Sequence, residues 1–86
     1  MKVVAREVEM VASFRHGGII RPHRFRLCEG GERTVVRVDK VVQTEETRLA
    51  GVKSIVYTCQ SEIAGVERLY QLKYRIDEHR WELYKM

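Results

Sequence analysis

The sequence predicts a small all-β domain, and three observations carry that prediction. Apolar residues alternate with polar ones through almost the whole chain. Glycine-bearing turn signals separate the alternating runs, as in Glu29-Gly30-Gly31-Glu32. No segment carries an apolar stripe at helical spacing over three turns.

In the first run Val8, Met10, Ala12 and Phe14 share one face, and Glu7, Glu9, Ser13 and Arg15 share the other. His16-Gly17-Gly18 offers a turn, because glycine tolerates the positive φ of tight connections. A second strand, Ile19 to Leu27, contains Pro22, which has no N–H for a ladder and belongs at an edge or a bend. After Glu29-Gly30-Gly31-Glu32 comes a third run, Thr34 to Gln43, apolar on both faces. Val36, Val38 and Val42 lie on one side and Val35 and Val41 on the other.

Residues 44–52 read as a loop or a single helical turn, capped by Thr44 and stopped by Gly51. A fourth strand, Lys53 to Ser61, brings Ile55, Tyr57 and Cys59 into phase. Beyond the turn at Ile63-Ala64-Gly65, a terminal hairpin bends at Asp77-Glu78-His79. Parity places Tyr70, Leu72 and Tyr74 on one face; for any pairing that puts Trp81 and Leu83 on that face too, Lys73, Arg75, Glu82 and Tyr84 occupy the other. The expected architecture is therefore one domain over residues 1–86, a small antiparallel barrel or bent sheet of about six strands. An SH3-like form is preferred to an OB-like one, since the final hairpin is short and no helix is evident.

Several landmarks form a frame: Pro22-x-x-Phe25, the valine-rich run ending near Val42, Tyr70-x-Leu72, and the closing Trp81-x-Leu83. Over roughly residues 19–85 this frame resembles a group of short bacterial all-β proteins with no assigned activity. Several of those place a tryptophan and a Gly-Arg pair early in the valine strand; Gly30-Gly31-Glu32-Arg33 is a loose equivalent, and the tryptophan is missing. The resemblance implies a small β-fold. Because some of those proteins lie near DNA-repair polymerase genes, it also implies a shift towards nucleic acid, and it transfers no functional residue.

The chain has 86 residues, 44% apolar and 33% charged, with a formal net charge of +4. That excess is uneven. Residues 1–43 carry nine Lys/Arg against five Asp/Glu, whereas residues 44–86 carry seven of each. Asymmetry of this kind points to an anionic partner. The opening decapeptide is interrupted by Arg6, Glu7 and Glu9, so it predicts neither a signal peptide nor a membrane span, and a cytoplasmic location is expected. In that setting Cys28 and Cys59 are expected as free thiols, partly buried.

No phosphate loop, nucleophile elbow or telling pair of carboxylates is present, and the sequence predicts no enzyme and no cofactor. His16, His23, Cys28 and Cys59 match no zinc spacing, so no metal is expected. The concrete functional candidate is a cluster of arginines: Arg15, Arg21, Arg24, Arg26, Arg33 and Arg37. On a regular strand Arg24 and Arg26 share a face while Phe25 and Leu27 point to the core. Guanidinium forks so arranged track a phosphate backbone without reading bases. Tyr84 and His23 are the candidate exposed rings for stacking. Arginine is also an ordinary outward residue on half-buried strands, so a solvated face is the reading set against this one. The expected function is a non-enzymatic binding module, with contacts to DNA or RNA backbone as its most concrete form. The alternative is a protein-interaction or homodimerisation module built on the apolar residues out of phase with the core: Val35, Val41, Val56 and Leu69.

Overall fold

A computed structural model describes the backbone of residues 1–86 and every side chain except that of Glu29. The chain folds into seven strands: β1 Val3–Phe14, β2 Ile20–Glu29, β3 Glu32–Arg37, β4 Lys40–Leu49, β5 Val52–Ile63, β6 Val66–Arg75 and β7 Arg80–Lys85. All neighbours are antiparallel, in one sheet of order β3-β2-β1-β7-β6-β5-β4. β3 and β4, consecutive in the chain, are the two edges.

β1 is the spine of the bend. Val3 to Val8 pair with β7, and Glu9 to Phe14 pair with β2, so the two halves of the sheet meet along one strand. The β2 half folds over β5 and β6. There Phe25 meets Tyr70 edge to face with ring centroids 5.7 Å apart. The fold thus buries one face of each half against the other.

The parity expected for β5 to β7 is observed. Cys59 faces Tyr70, Tyr57 faces Leu72 and Ile55 faces Tyr74 across one ladder; Leu72 faces Leu83 and Tyr74 faces Trp81 across the next. These side chains, with Val8, Phe25, Val36 and Val38, make the core. Trp81 stacks at a tilt between Tyr57 and Tyr74, at 5.3 and 4.8 Å. Rings buried together contribute large apolar areas to a core that a chain this short can only make thin.

The expected six-strand, SH3-like barrel is corrected to seven strands in a sheet that is not closed. One cause is local: the valine-rich run is two strands, because the ladder to β2 ends at Arg37 and the ladder to β5 begins at Lys40. Val38 and Asp39 form the bend between them. Val38 N–H donates to the His23 carbonyl at 2.8 Å, and Asp39 N–H to the Gln60 carbonyl at 3.2 Å. The bend also slips the phase, so Val36, Val38 and Val41 turn towards the core while Val42 is exposed.

Residues 44–52 are not a loop or helical turn. β4 runs through Leu49, and Ala50 and Gly51, with φ of 51° and 81°, make a two-residue hairpin turn. Phe14 shares the predicted face, but it lies at the end of β1 and is 64% exposed, its ring edge-on to Tyr74 at 6.1 Å.

Candidate nucleic-acid interface

The outer face of β1, β2 and β3 is set by register. Glu9, Arg26 and Val35 form one cross-strand row, and Val11, Arg24 and Arg37 form the next. Two residues along, Arg33 lies opposite Cys28. Inward-facing Met10, Phe25 and Val36 lie between the two outer rows and anchor them to the core.

Pro22 extends the patch. Arg24 pairs with Val11 but Pro22 pairs with Ala12, so two residues of β2, His23 and Arg24, span one step of β1. This is a β-bulge. In a regular strand residues three apart lie on opposite faces; the extra residue leaves both Pro22 and Phe25 buried and both Arg21 and Arg24 exposed. Proline fits here because the β3 ladder reaches only as far as Arg24, so its missing N–H breaks no pairing on that side. His23 Nε2 and Ser13 Oγ are 2.8 Å apart, which occupies the imidazole beside the bulge.

Five of the six arginines expected to act together therefore share one face: Arg21, Arg24, Arg26, Arg33 and Arg37. Arg15 lies one residue beyond β1, extended (φ −100°, ψ 166°) and exposed, with its N–H donated to the Ile19 carbonyl at 2.8 Å.

Arg24 and Arg37 are directly opposite, where Cα atoms are about 4.5–5.5 Å apart. Arg26 donates from Nη2 to Glu9 Oε2, and its Nε is buried without a hydrogen-bond partner. Among the described residues no carboxylate pairs with Arg21, Arg24, Arg33 or Arg37. The outer face of β6 and β7 is different. Arg75 reaches Glu82 at 3.4 Å, Arg80 reaches Glu7 at 3.7 Å, and Lys73 Nζ sits 3.9 Å from the Tyr84 ring centroid. The cations named on that face are compensated, whereas among the described residues Arg21, Arg24, Arg33 and Arg37 on β2 and β3 have no carboxylate partner.

The strand end that carries Arg37 is held from within. Tyr70 O–H and Ser61 Oγ are 2.5 Å apart, and Ser61 Oγ donates to the Arg37 carbonyl at 2.6 Å. Glu62 N–H donates to Asp39 Oδ2 at 2.9 Å. A buried relay from the core thus fixes the backbone under an exposed guanidinium.

The two rings expected to be open for stacking are engaged: Tyr84 carries Lys73 and Lys85 over its face, and His23 holds Ser13. Phe14, on the face of β1 that it shares with Val8, Met10 and Ala12, is exposed. The four valine-strand candidates do not gather. Val35 and Leu69 are exposed on separate strands, Val41 packs against the core, and Val56 is buried.

Cys28 is exposed and Cys59 is fully buried, both as free thiols. Burial pushes the Cys59 thiol up to about 12, with the Arg21 charge pulling the other way. A protonated, enclosed thiol is a core residue and not a nucleophile. No group of three or more His, Cys, Asp or Glu among the described residues is placed to hold a metal ion.

No family model, curated protein or solved structure matches the chain.

Proposed function

We propose that the protein is a non-enzymatic binding module that holds the backbone of a nucleic acid on the outer face of β2 and β3. The observation that carries this reading is the direct opposition of Arg24 and Arg37 with no described carboxylate to compensate either. Like charges facing across a ladder cost roughly 0.2–1 kcal/mol. That cost is recovered when an anion bridges the two guanidiniums, since charge-assisted hydrogen bonds to phosphate are about twice as strong as neutral ones.

Arg21 and Arg33 extend the same charge along the strands, and Arg26, paired with Glu9, lies between their rows. A linear array of this kind suits a polymer of regularly spaced phosphates better than a single small anion. Rigidity supports the reading too, because the Tyr70–Ser61–Arg37 relay removes backbone freedom that binding would otherwise have to quench.

The test is fluorescence anisotropy of labelled DNA and RNA, at low and physiological salt, with wild-type protein and the Arg24→Glu/Arg37→Glu variant. Binding that weakens with salt and is lost in a folded double variant supports the reading. Equal binding by the two proteins removes this face from consideration.

A further inference from the structure

A carboxylate stands in the middle of the arginine face, and a surface that met only phosphates would be weakened by it. Glu9 is the cross-strand partner of Arg26, and its side chain is 65% exposed. Arg26 engages Oε2, which leaves Oε1 as an open acceptor.

Beside Glu9 lies a shallow groove of ≈ 420 Å³. Val11 and Val35 line it from the flanking strands, with Arg24 and Arg26 from the strand between. This volume falls in the range of sites for small organic ligands. The two valines are exposed, at 51% and 65%, although each sits on a cationic face where a phosphate needs no apolar contact.

Spacing completes the picture. Arg24 and Arg26 are two residues apart on one strand, so their Cα atoms are about 6.8 Å apart. That is about twice the ~3.4 Å step of stacked bases, room for one planar ring between two guanidinium planes. Arg26 is already held by Glu9, so one of the two planes is positioned in advance.

We infer that this groove takes one unstacked base, ring between Arg24 and Arg26 and against Val11 and Val35, with Glu9 Oε1 accepting from an exocyclic amino group. The inference rests on the proposed nucleic-acid reading and narrows it: the ligand is single-stranded, because a base inside a duplex cannot enter the groove. A carboxylate acceptor selects cytosine, whose N4 is a donor, over thymine or uracil, whose O4 is an acceptor.

The experiment is anisotropy at fixed salt with five labelled probes of equal length: oligo-dC, oligo-dT, oligo-rC, an abasic sugar-phosphate oligomer, and a duplex. The expected order places oligo-dC ahead of oligo-dT by about five-fold or more, and both ahead of the abasic oligomer and the duplex. Oligo-rC tracking oligo-dC supports recognition through the base that the two share.

Glu9→Gln is expected to abolish the dC-over-dT preference while raising affinity for the abasic oligomer, since a negative charge has gone. Val35→Ser, at an exposed position on edge strand β3, is expected in the folded variant to weaken oligo-dC binding more than abasic binding. Abasic oligomer or duplex binding as tightly as oligo-dC overturns the base site and leaves backbone binding standing. A preference unchanged in folded Glu9→Gln overturns the role of the carboxylate. No binding of any probe overturns both readings.

Discussion

Arg24 and Arg37 face each other across the β2–β3 ladder, two like charges in the closest relationship a sheet allows. The arrangement works against the folded state and in favour of an anion, so stability and binding should respond to mutation with opposite signs.

Arg24→Glu tests that directly. It replaces a repulsive pair by an attractive one, so the expected effect is a gain of a few tenths of a kcal/mol, up to about 1. The denaturant midpoint should rise while affinity for polyanions falls. A variant that loses both stability and binding would mean that Arg24 acts through packing.

Ser61→Ala should cost about 2–3 kcal/mol, because it removes the donor to the Arg37 carbonyl and strands the Tyr70 hydroxyl in the core. Adding Tyr70→Phe in that background should recover part of the loss, since the orphaned hydroxyl goes with it. Chemical denaturation of the four proteins in the cycle measures the coupling. Full additivity would contradict a shared relay.

Ala64 occupies the first position of a two-residue turn at φ 51°, and Gly65 follows at 78°. Left-handed backbone costs an alanine about 1–2 kcal/mol, and asparagine is favoured at this position of a type I′ turn. Ala64→Asn should therefore stabilise the protein by about 0.5–1 kcal/mol in thermal or urea unfolding. No change would show that the turn is not under strain.

Stability should fall in alkali. Burial pushes the phenols of Tyr57 and Tyr70 from 10.0 up to about 12 and the Cys59 thiol from 9.0 up to about 12. The unfolded chain releases these protons first, so between those values the folded state holds more of them, and stability declines as pH rises. The contribution is intact below about 9 and is lost through 12. Urea midpoints from pH 8 to 11 check this, and a flat profile would contradict it. In the same preparation a thiol reagent at pH 8 should modify Cys28 in the native protein and Cys59 only after denaturation.

The core was legible because its signal is local. Tyr70, Leu72, Tyr74, Trp81 and Leu83 alternate within two strands, and a tight turn fixes their register. The bend at Val38-Asp39 was not, since an unbroken β-branched run gives no sign of where one ladder ends; that is decided by β5, about twenty residues later, which draws Asp39 to Gln60. The shared face of Arg24 and Arg26 followed from parity. That of Arg21 did not, because the bulge beside Pro22 reverses the count, and proline announces a disruption without saying which kind. Glu9 and Val35 entered the groove only through a register that places them on either side of Arg26, a relationship no single strand encodes.

Phosphate binding by the β2–β3 arginines would show first in the salt dependence of binding to a single strand. Four phosphate contacts, one for each arginine without a described carboxylate partner (Arg21, Arg24, Arg33 and Arg37), predict a slope of log K against log salt of about −3, and Arg24→Glu/Arg37→Glu should flatten it by at least the two contacts removed, roughly 1.4. A wild-type slope near zero, or a slope that the double variant leaves unchanged, would contradict the account.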